Sequence, residues 1–266
     1  MKKIGVFDSG VGGLTVVKEI RKHFPHLDIV YLGDTARLPY GDKSESTIID
    51  YSLSNTKFLL NFDVDLIVVA CNTSSAIALE TLEKKFCKTP FVGMIKAGAT
   101  LALKKTKFKK IGLIGTRATI MSGAYKKELL RMNKDVEVFE KATPLFVPLV
   151  EEGFAEDEVS FIVAKKYLSP LLEKKIDTLI LGCTHYPLLM PTIKAIAPDV
   201  SLISSGRATV EFLKENLDIK ANNKKGSLEV FVTDITTHFK EVAEKLLQEK
   251  INLEHISYER MNGNEN

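Results

Sequence analysis

Two cysteines of this 266-residue chain sit in matched settings: residues 65 to 73 read DLIVVACNT and residues 177 to 185 read DTLILGCTH. Cys71 closes an apolar run and is followed by Asn72, Thr73 and Ser74, side chains that cap helices, before a helical pattern over Ala76 to Phe86. A thiol there faces backbone N–H groups and a helix dipole, which favour the thiolate and attract a carboxylate. Cys183 repeats the arrangement with Thr184, His185, Tyr186 and Pro187, the proline suiting a first helical turn. A single such cysteine reads most simply as a small buried hydrophobe. A matched pair reads instead as two groups that can each hold or release a proton, the equipment for general acid–base work. Cys87, in KKFCKTP at a helix end, has no such setting and is expected to be structural.

Other uses of the pair are open on sequence. A disulfide needs Cα atoms within about 7 Å and an oxidising compartment, neither of which is indicated. A metal site from Cys71, Cys183, His185 and Asp8 is chemically possible, but no Cys-x-x-Cys or His-x-x-x-His spacing supports it. A binding protein whose cysteines merely line a pocket would look similar.

Asp8, Ser9, Gly10, Gly12 and Gly13 form a Gly-rich turn after the first apolar run. It lacks the third glycine and the later acidic residue of a dinucleotide fingerprint, so the glycines are expected to let backbone approach a small anion while Asp8 projects into a cleft. The loop Asp34 to Gly41, with Arg37, Pro39, Tyr40 and Gly41, is expected to form another wall or simply a rigid turn. His185 is the one histidine set in a candidate site; His23, His26, His238 and His255 fall on helices, a loop and the C-terminal tail.

The elements that must position these residues read as βα units of a mainly parallel sheet, hence an α/β fold. Strands are expected at Lys3 to Phe7, Ile29 to Leu32, Asp65 to Ala70, Phe91 to Met94, Ile111 to Ile114, Val136 to Phe139, Thr178 to Leu181, Leu202 to Ser204 and Glu229 to Val232. Helices are expected at Leu14 to Phe24 and at Glu45 to Phe62, the latter capped by Ser44, and near Ile235 to Leu247. The chain also echoes itself: KKIGVFD at residues 2 to 8 returns as KKIGLIG at 109 to 115, alongside the echo around the cysteines. Two pseudo-symmetric lobes are expected, residues 1–96 with 206–266 carrying Asp8 and Cys71, and residues 97–205 carrying Cys183 and His185. Crossovers are expected near Gly93 to Gly98 and Ser204 to Gly206. Ligands of open parallel sheets bind beyond the carboxyl ends of the strands, so facing lobes would bring both thiols to one cleft.

Composition excludes little but agrees. With 45% apolar and 27% charged residues and a net charge of +3, the chain is an ordinary globular protein without the basic stripe that nucleic acid or a membrane surface demands. The run Lys104, Lys105, Lys107, Lys109 and Lys110 reads as a solvated helix end. Asp8 interrupts the N-terminal apolar run and no apolar stretch is long enough to span a bilayer, so the cytoplasm is the expected compartment. Three cysteines make no disulfide framework.

Four stretches taken together resemble the glutamate racemases of the wider aspartate/glutamate racemase superfamily: Phe7-Asp8-Ser9-Gly10-Val11-Gly12-Gly13-Leu14, Pro39-Tyr40-Gly41, Ala70-Cys71-Asn72-Thr73 and Gly182-Cys183-Thr184-His185-Tyr186-Pro187. They follow the family's order and spacing to about residue 210. The resemblance implies reversible conversion of L-glutamate to D-glutamate for peptidoglycan synthesis, by a homodimer needing no cofactor and no metal. It implies Cys71 and Cys183 as the proton donor/acceptors, assisted by Asp8 and His185 respectively. Ser9, Tyr40, Gly41, Asn72, Thr73 and Thr184 would hold the substrate, with Thr116 and Thr119 as further candidates for its distal carboxylate. Lys96-Ala97 and Ser204 depart from the family pattern, and both lie at the expected crossovers. No added N-terminal regulatory segment is expected.

Overall fold

A computed structural model describes residues 1–219 and 224–261, without the side chain of His238. Among the described residues ten strands, β1 (Lys3–Asp8), β2 (Asp28–Gly33), β3 (Leu66–Val69), β4 (Phe91–Gly93), β5 (Lys110–Gly115), β6 (Glu137–Ala142), β7 (Thr178–Gly182), β8 (Ser201–Ser204), β9 (Leu228–Val232) and β10 (Leu253–His255), form two sheets. The six-stranded sheet runs β10-β9-β2-β1-β3-β4 and the four-stranded sheet β6-β5-β7-β8. Every pairing is parallel. Helices cover both faces, which is why strands such as Ile4 to Phe7 and Leu179 to Leu181 are apolar without alternation and fully buried.

The order β2-β1-β3-β4 in one sheet matches β6-β5-β7-β8 in the other, the structural counterpart of the sequence echo. In both, the first strand of the repeat sits between its successor and the strand that carries the cysteine, the switch point where side chains at the carboxyl edge open a crevice. Asp8 ends β1 and Cys71 follows β3; Gly115 ends β5 and Cys183 follows β7.

The chain passes between sheets through helices. Met94–Lys105 leads from β4 to β5, and Ser205–Asn216 leads from β8 to β9. Residues of Met94–Lys105 and Ser205–Asn216 are divided between two cores: Met94, Val210 and Leu213 join the β1–β3 cluster, while Ala97, Ala99, Ala102 and Ala208 join the β5–β7 cluster. Small residues let these helices pack closely, so the crossovers are packed joints and not open loops. The departures from the family pattern fall there: Ala97 is buried, and the Lys96 ammonium stands 5.6 Å over the Phe212 ring.

Several boundaries differ from the sequence reading. The helix after Cys71 begins at once, as Asn72–Ile77, and resumes as Leu79–Lys85, because Cys71 is itself the N-cap. Met94 opens a helix instead of closing β4. β6 extends to Ala142, and the short edge strand β10 was not anticipated. Ser44 caps Glu45–Leu60 as expected, accepting from the Thr47 N–H. Cys87 is exposed beyond Leu79–Lys85 and packs no core. The lysine run ends in ion pairs, Lys104 with Glu215, Lys109 with Asp135 and Lys110 with Glu137. No helix among the described residues is long and apolar enough to cross a membrane.

Candidate active site

Cys71 and Cys183 line one cleft between the carboxyl edges of the two sheets, together with Ser9, Pro39, Tyr40, Gly41, Asn72, Thr73, Thr116, Thr184 and His185. Both thiols are free and buried. The space left between the walls is small, about 20 Å³, roughly the room one water needs, so a ligand enters only when the walls part.

At the first sulfur, Cys71 Sγ accepts from the Ser74 N–H at 3.5 Å and lies 4.0 Å from Ser9 Oγ. Burial pushes this thiol up to about 12, reinforced by the negative charge of Asp8, with the Ser74 N–H pulling the other way. The helix terminus alone would favour the thiolate, as expected from sequence, but burial outweighs it and Cys71 rests protonated.

Asp8 is fully buried and its carboxylate accepts from the N–H groups of Gly10 and Gly13 at 3.1 and 2.9 Å. It also accepts the hydroxyl of Thr184, from the opposite sheet's edge, at 3.2 Å. Burial raises its pKa, while the charge of His185 and the three donors oppose that rise. Asp8 thus stands behind the cleft wall and reaches Cys71 through its charge.

At the second sulfur, Cys183 Sγ lies 3.7 Å from His185 Nδ1, and His185 Nε2 lies 2.5 Å from Glu151 Oε1. Burial alone would favour neutral imidazole, but the hydrogen bonds and charges of Cys183 and Glu151 override it and hold the pKa well above the usual histidine value. The imidazolium so favoured donates from both nitrogens, one toward the sulfur and one to the carboxylate. Glu151 ends the short Phe146–Glu151 helix, and neither it nor Val147, which also lines the cleft, stood out in the sequence.

The Gly-rich turn has a packing role that the sequence did not reveal. A methyl on Gly12 would come within 2.6 Å of both His185 Nδ1 and Thr184 Oγ1, so glycine here lets the first sheet's edge approach the second. Thr15 Oγ1 spans the same seam, donating to Gly12 O at 2.8 Å and lying 3.1 Å from Thr184 O.

The hydroxyl of Tyr40 is turned away from the cleft, donating to Asp34 and accepting from Asn55 Nδ2 at 3.0 Å. Arg37 completes this buried group, its Nε 2.6 Å from Asp34 Oδ2 and its guanidinium stacked between Tyr51 and Tyr258 at 4.2 and 4.5 Å. What Tyr40 and Gly41 present to the cleft is therefore ring and backbone. On the far wall Thr73, Thr116 and Thr119 form a hydroxyl triangle, with Thr73–Thr116 and Thr116–Thr119 at 3.0 Å and Thr73–Thr119 at 3.3 Å. Thr116 faces the cavity, and Thr119 is buried behind it. Among the described residues no group of three or more His, Cys, Asp or Glu is arranged to hold a metal ion.

Paired thiols at the ends of duplicated parallel strands, each with its own ionisable neighbour, suit proton transfer at a carbon held between them. Known proteins with this sequence and fold point the same way. The family model described as Asp/Glu/Hydantoin racemase matches residues 14–213. A glutamate racemase from Persephonella marina is 48% identical over 97% of this chain and 98% of its own length. The crystal structure of a glutamate racemase isoform from Bacillus anthracis superposes with a TM-score of 0.90 at 38% identity, covering 96% of this chain and 97% of that one. That of the Francisella tularensis glutamate racemase in complex with D-glutamate superposes at 0.86 with 40% identity, covering 97% and 98%. This chain belongs to the Asp/Glu/Hydantoin racemase family, and within it to the glutamate racemases.

Proposed function

We propose that this racemase interconverts L- and D-glutamate by proton transfer between two thiols, without a cofactor, and so supplies D-glutamate for peptidoglycan synthesis in the cytoplasm. The single observation that carries the mechanism is that Cys71 and Cys183 open onto one cleft from equivalent positions of two facing sheets. A thiolate on one side takes the α-proton, leaving the electron pair delocalised into the substrate carboxylate. The thiol on the other side then delivers its own proton to the opposite face, and the sulfurs exchange protonation states. Each enantiomer meets one sulfur as base and the other as acid.

Asp8 serves the Cys71 side through its charge, and His185, held by Glu151, serves Cys183. Negative charge developing on the substrate carboxylate is met by fixed donors, for which the Asn72 amide and the hydroxyls of Ser9, Thr73 and Thr184 are suited. Backbone N–H groups of Tyr40 and Gly41 act with them, and Thr116, backed by Thr119, serves the distal carboxylate. Two lobes, residues 1–96 with 206–266 and residues 97–205, part to admit substrate; residues 220–223 and 262–266 of the first lie outside the described residues. The working form is a homodimer.

Solvent deuterium incorporation at the α-carbon tests the reading, started from each enantiomer with wild type, Cys71→Ser and Cys183→Ser. Wild type should give label in the opposite enantiomer from either start, and each variant should lose racemisation by at least about 10³-fold. Undiminished racemisation by either variant would overturn the two-thiol mechanism.

A further inference from the structure

We infer that Tyr125 is a positioning residue for racemisation, a strut that sets the placement of Cys71 against Cys183 by gripping Asn72. Tyr125 lies in the helix Ala124–Met132, on the four-stranded sheet's side, and is 1% exposed. Its hydroxyl donates to Asn72 Oδ1 at 2.7 Å and has the Met94 carbonyl as a more distant second acceptor at 3.3 Å. Its ring passes beside Gly182, where an added Cβ would be 3.6 Å from Cε2. One phenol thus holds the residue after the first cysteine and passes close to the residue before the second.

The path of the phenol has been kept clear. A Cβ on Gly98, in the Met94–Lys105 helix, would come within 2.9 Å of Tyr125 Cε1 and 3.0 Å of its hydroxyl oxygen. The other end of the Asn72 amide is also held, Nδ2 donating to Ser205 Oγ at 2.9 Å, at the start of the second crossover helix. With both ends engaged across the seam, the amide keeps one orientation and has one N–H left for the cleft. With the phenol hydroxyl removed, the buried Asn72 amide loses the donor on its Oδ1 and can turn away from its working orientation.

This rests on the racemase reading of the same site, and a double-mutant cycle separates the two. Tyr125→Phe, Asn72→Ala and the double variant are compared by ¹H NMR of α-proton exchange in deuterated solvent, with folding checked by circular dichroism. Tyr125→Phe should lower kcat/KM about tenfold and raise the α-deuterium isotope effect with one enantiomer more than with the other. In the Asn72→Ala background the same change should have much less effect on kcat/KM, because the remaining bond of the phenol, to the Met94 carbonyl, does not reach the cleft. Additive losses, or an unchanged isotope effect in both directions, would overturn the inference while leaving the racemase reading intact. Absence of exchange by wild type would instead overturn the racemase reading. Should Tyr125→Phe not fold, Gly98→Ala takes its place in the cycle, since it displaces the phenol without deleting the hydroxyl, and the same outcomes decide.

Discussion

His185 Nε2 lies 2.5 Å from Glu151 Oε1 while the other ring nitrogen faces the sulfur of Cys183. The carboxylate fixes which way the ring points and is one cause of its raised pKa. In the Glu151→Gln variant that cause is lost and the histidine pKa falls. If the imidazolium is the working form, activity declines as pH rises through the raised value, so the variant's basic limb should move to lower pH. The stability sign agrees: a raised histidine pKa contributes fully below the unfolded value of about 6.5 and is lost as pH climbs through the folded value. The stability gap between wild type and variant should therefore be widest in mild acid. A pH series of kcat with thermal melts checks both, and coincident profiles would sink the idea.

Asp8 has the opposite thermodynamic character. Its carboxylate is buried, and burial raises its pKa more than His185, the two N–H donors and Thr184 lower it. Between the ordinary carboxyl value and the raised one the folded protein keeps a proton that the unfolded chain has released, so stability from this group falls as pH rises through that window. Asp8→Asn, which can still accept from Gly10 and Gly13, should match or exceed wild type in stability at neutral pH. Its racemase activity should drop at least tenfold. A variant both less stable and fully active would contradict the charge being retained for chemistry.

The cysteine echo in the sequence survives as the matched strand orders of the two sheets, and it was legible because a strand end followed at once by a cap is a local pattern. What escaped was contact across the seam. Glu151 ends a six-residue helix and Tyr125 sits in a nine-residue one, with no spacing relative to His185 or Asn72 that a linear reading could use. Gly12 was seen, but its close packing against the second sheet was not, since the neighbour it accommodates lies in the other half of the chain. Tyr40 was expected at the substrate, and it does line the cleft, but that Asp34 and Asn55 occupy its hydroxyl had no trace in the sequence. The protonated resting state of Cys71 was likewise not legible, because burial has no signature in a strand-end motif.

Arg37 tests how strongly the loop from Asp34 to Gly41 depends on its buried support. Its guanidinium meets Asp34 and Asn55 by hydrogen bonds and two tyrosine rings by stacking, contacts that need a planar fork. Lysine would keep the charge but lose the fork and most of the stacking. Arg37→Lys should cost about 2 kcal/mol of stability and raise KM several-fold with a smaller change in kcat, because the loop forms a wall and does not move the proton. Denaturant melts with Michaelis kinetics in both directions provide the check. An unchanged KM would mean that Tyr40 and Gly41 hold their places without this group.

The close approach of the two halves beside the second sulfur gives the sharpest test. A methyl on Gly12 would sit 2.6 Å from His185 Nδ1 and from Thr184 Oγ1, far inside contact distance. Backbone strain is not at issue, since Gly12 lies in the short helical turn Val11–Gly13. The variant must therefore push His185 off Cys183 or hold the seam open, and either breaks the geometry needed for proton transfer. Gly12→Ala should lower kcat about 10²-fold, the scale set by misplacing a catalytic group by 1 Å. Because side chains and not backbone stand in the way, the protein should still fold. The histidine Cε1 proton resonance of His185 should titrate at lower pH, having lost part of its contact with the sulfur. Retained kcat together with an unmoved titration would mean that the seam can yield at this point without disturbing the imidazole, and the role given to the Gly-rich turn would be wrong.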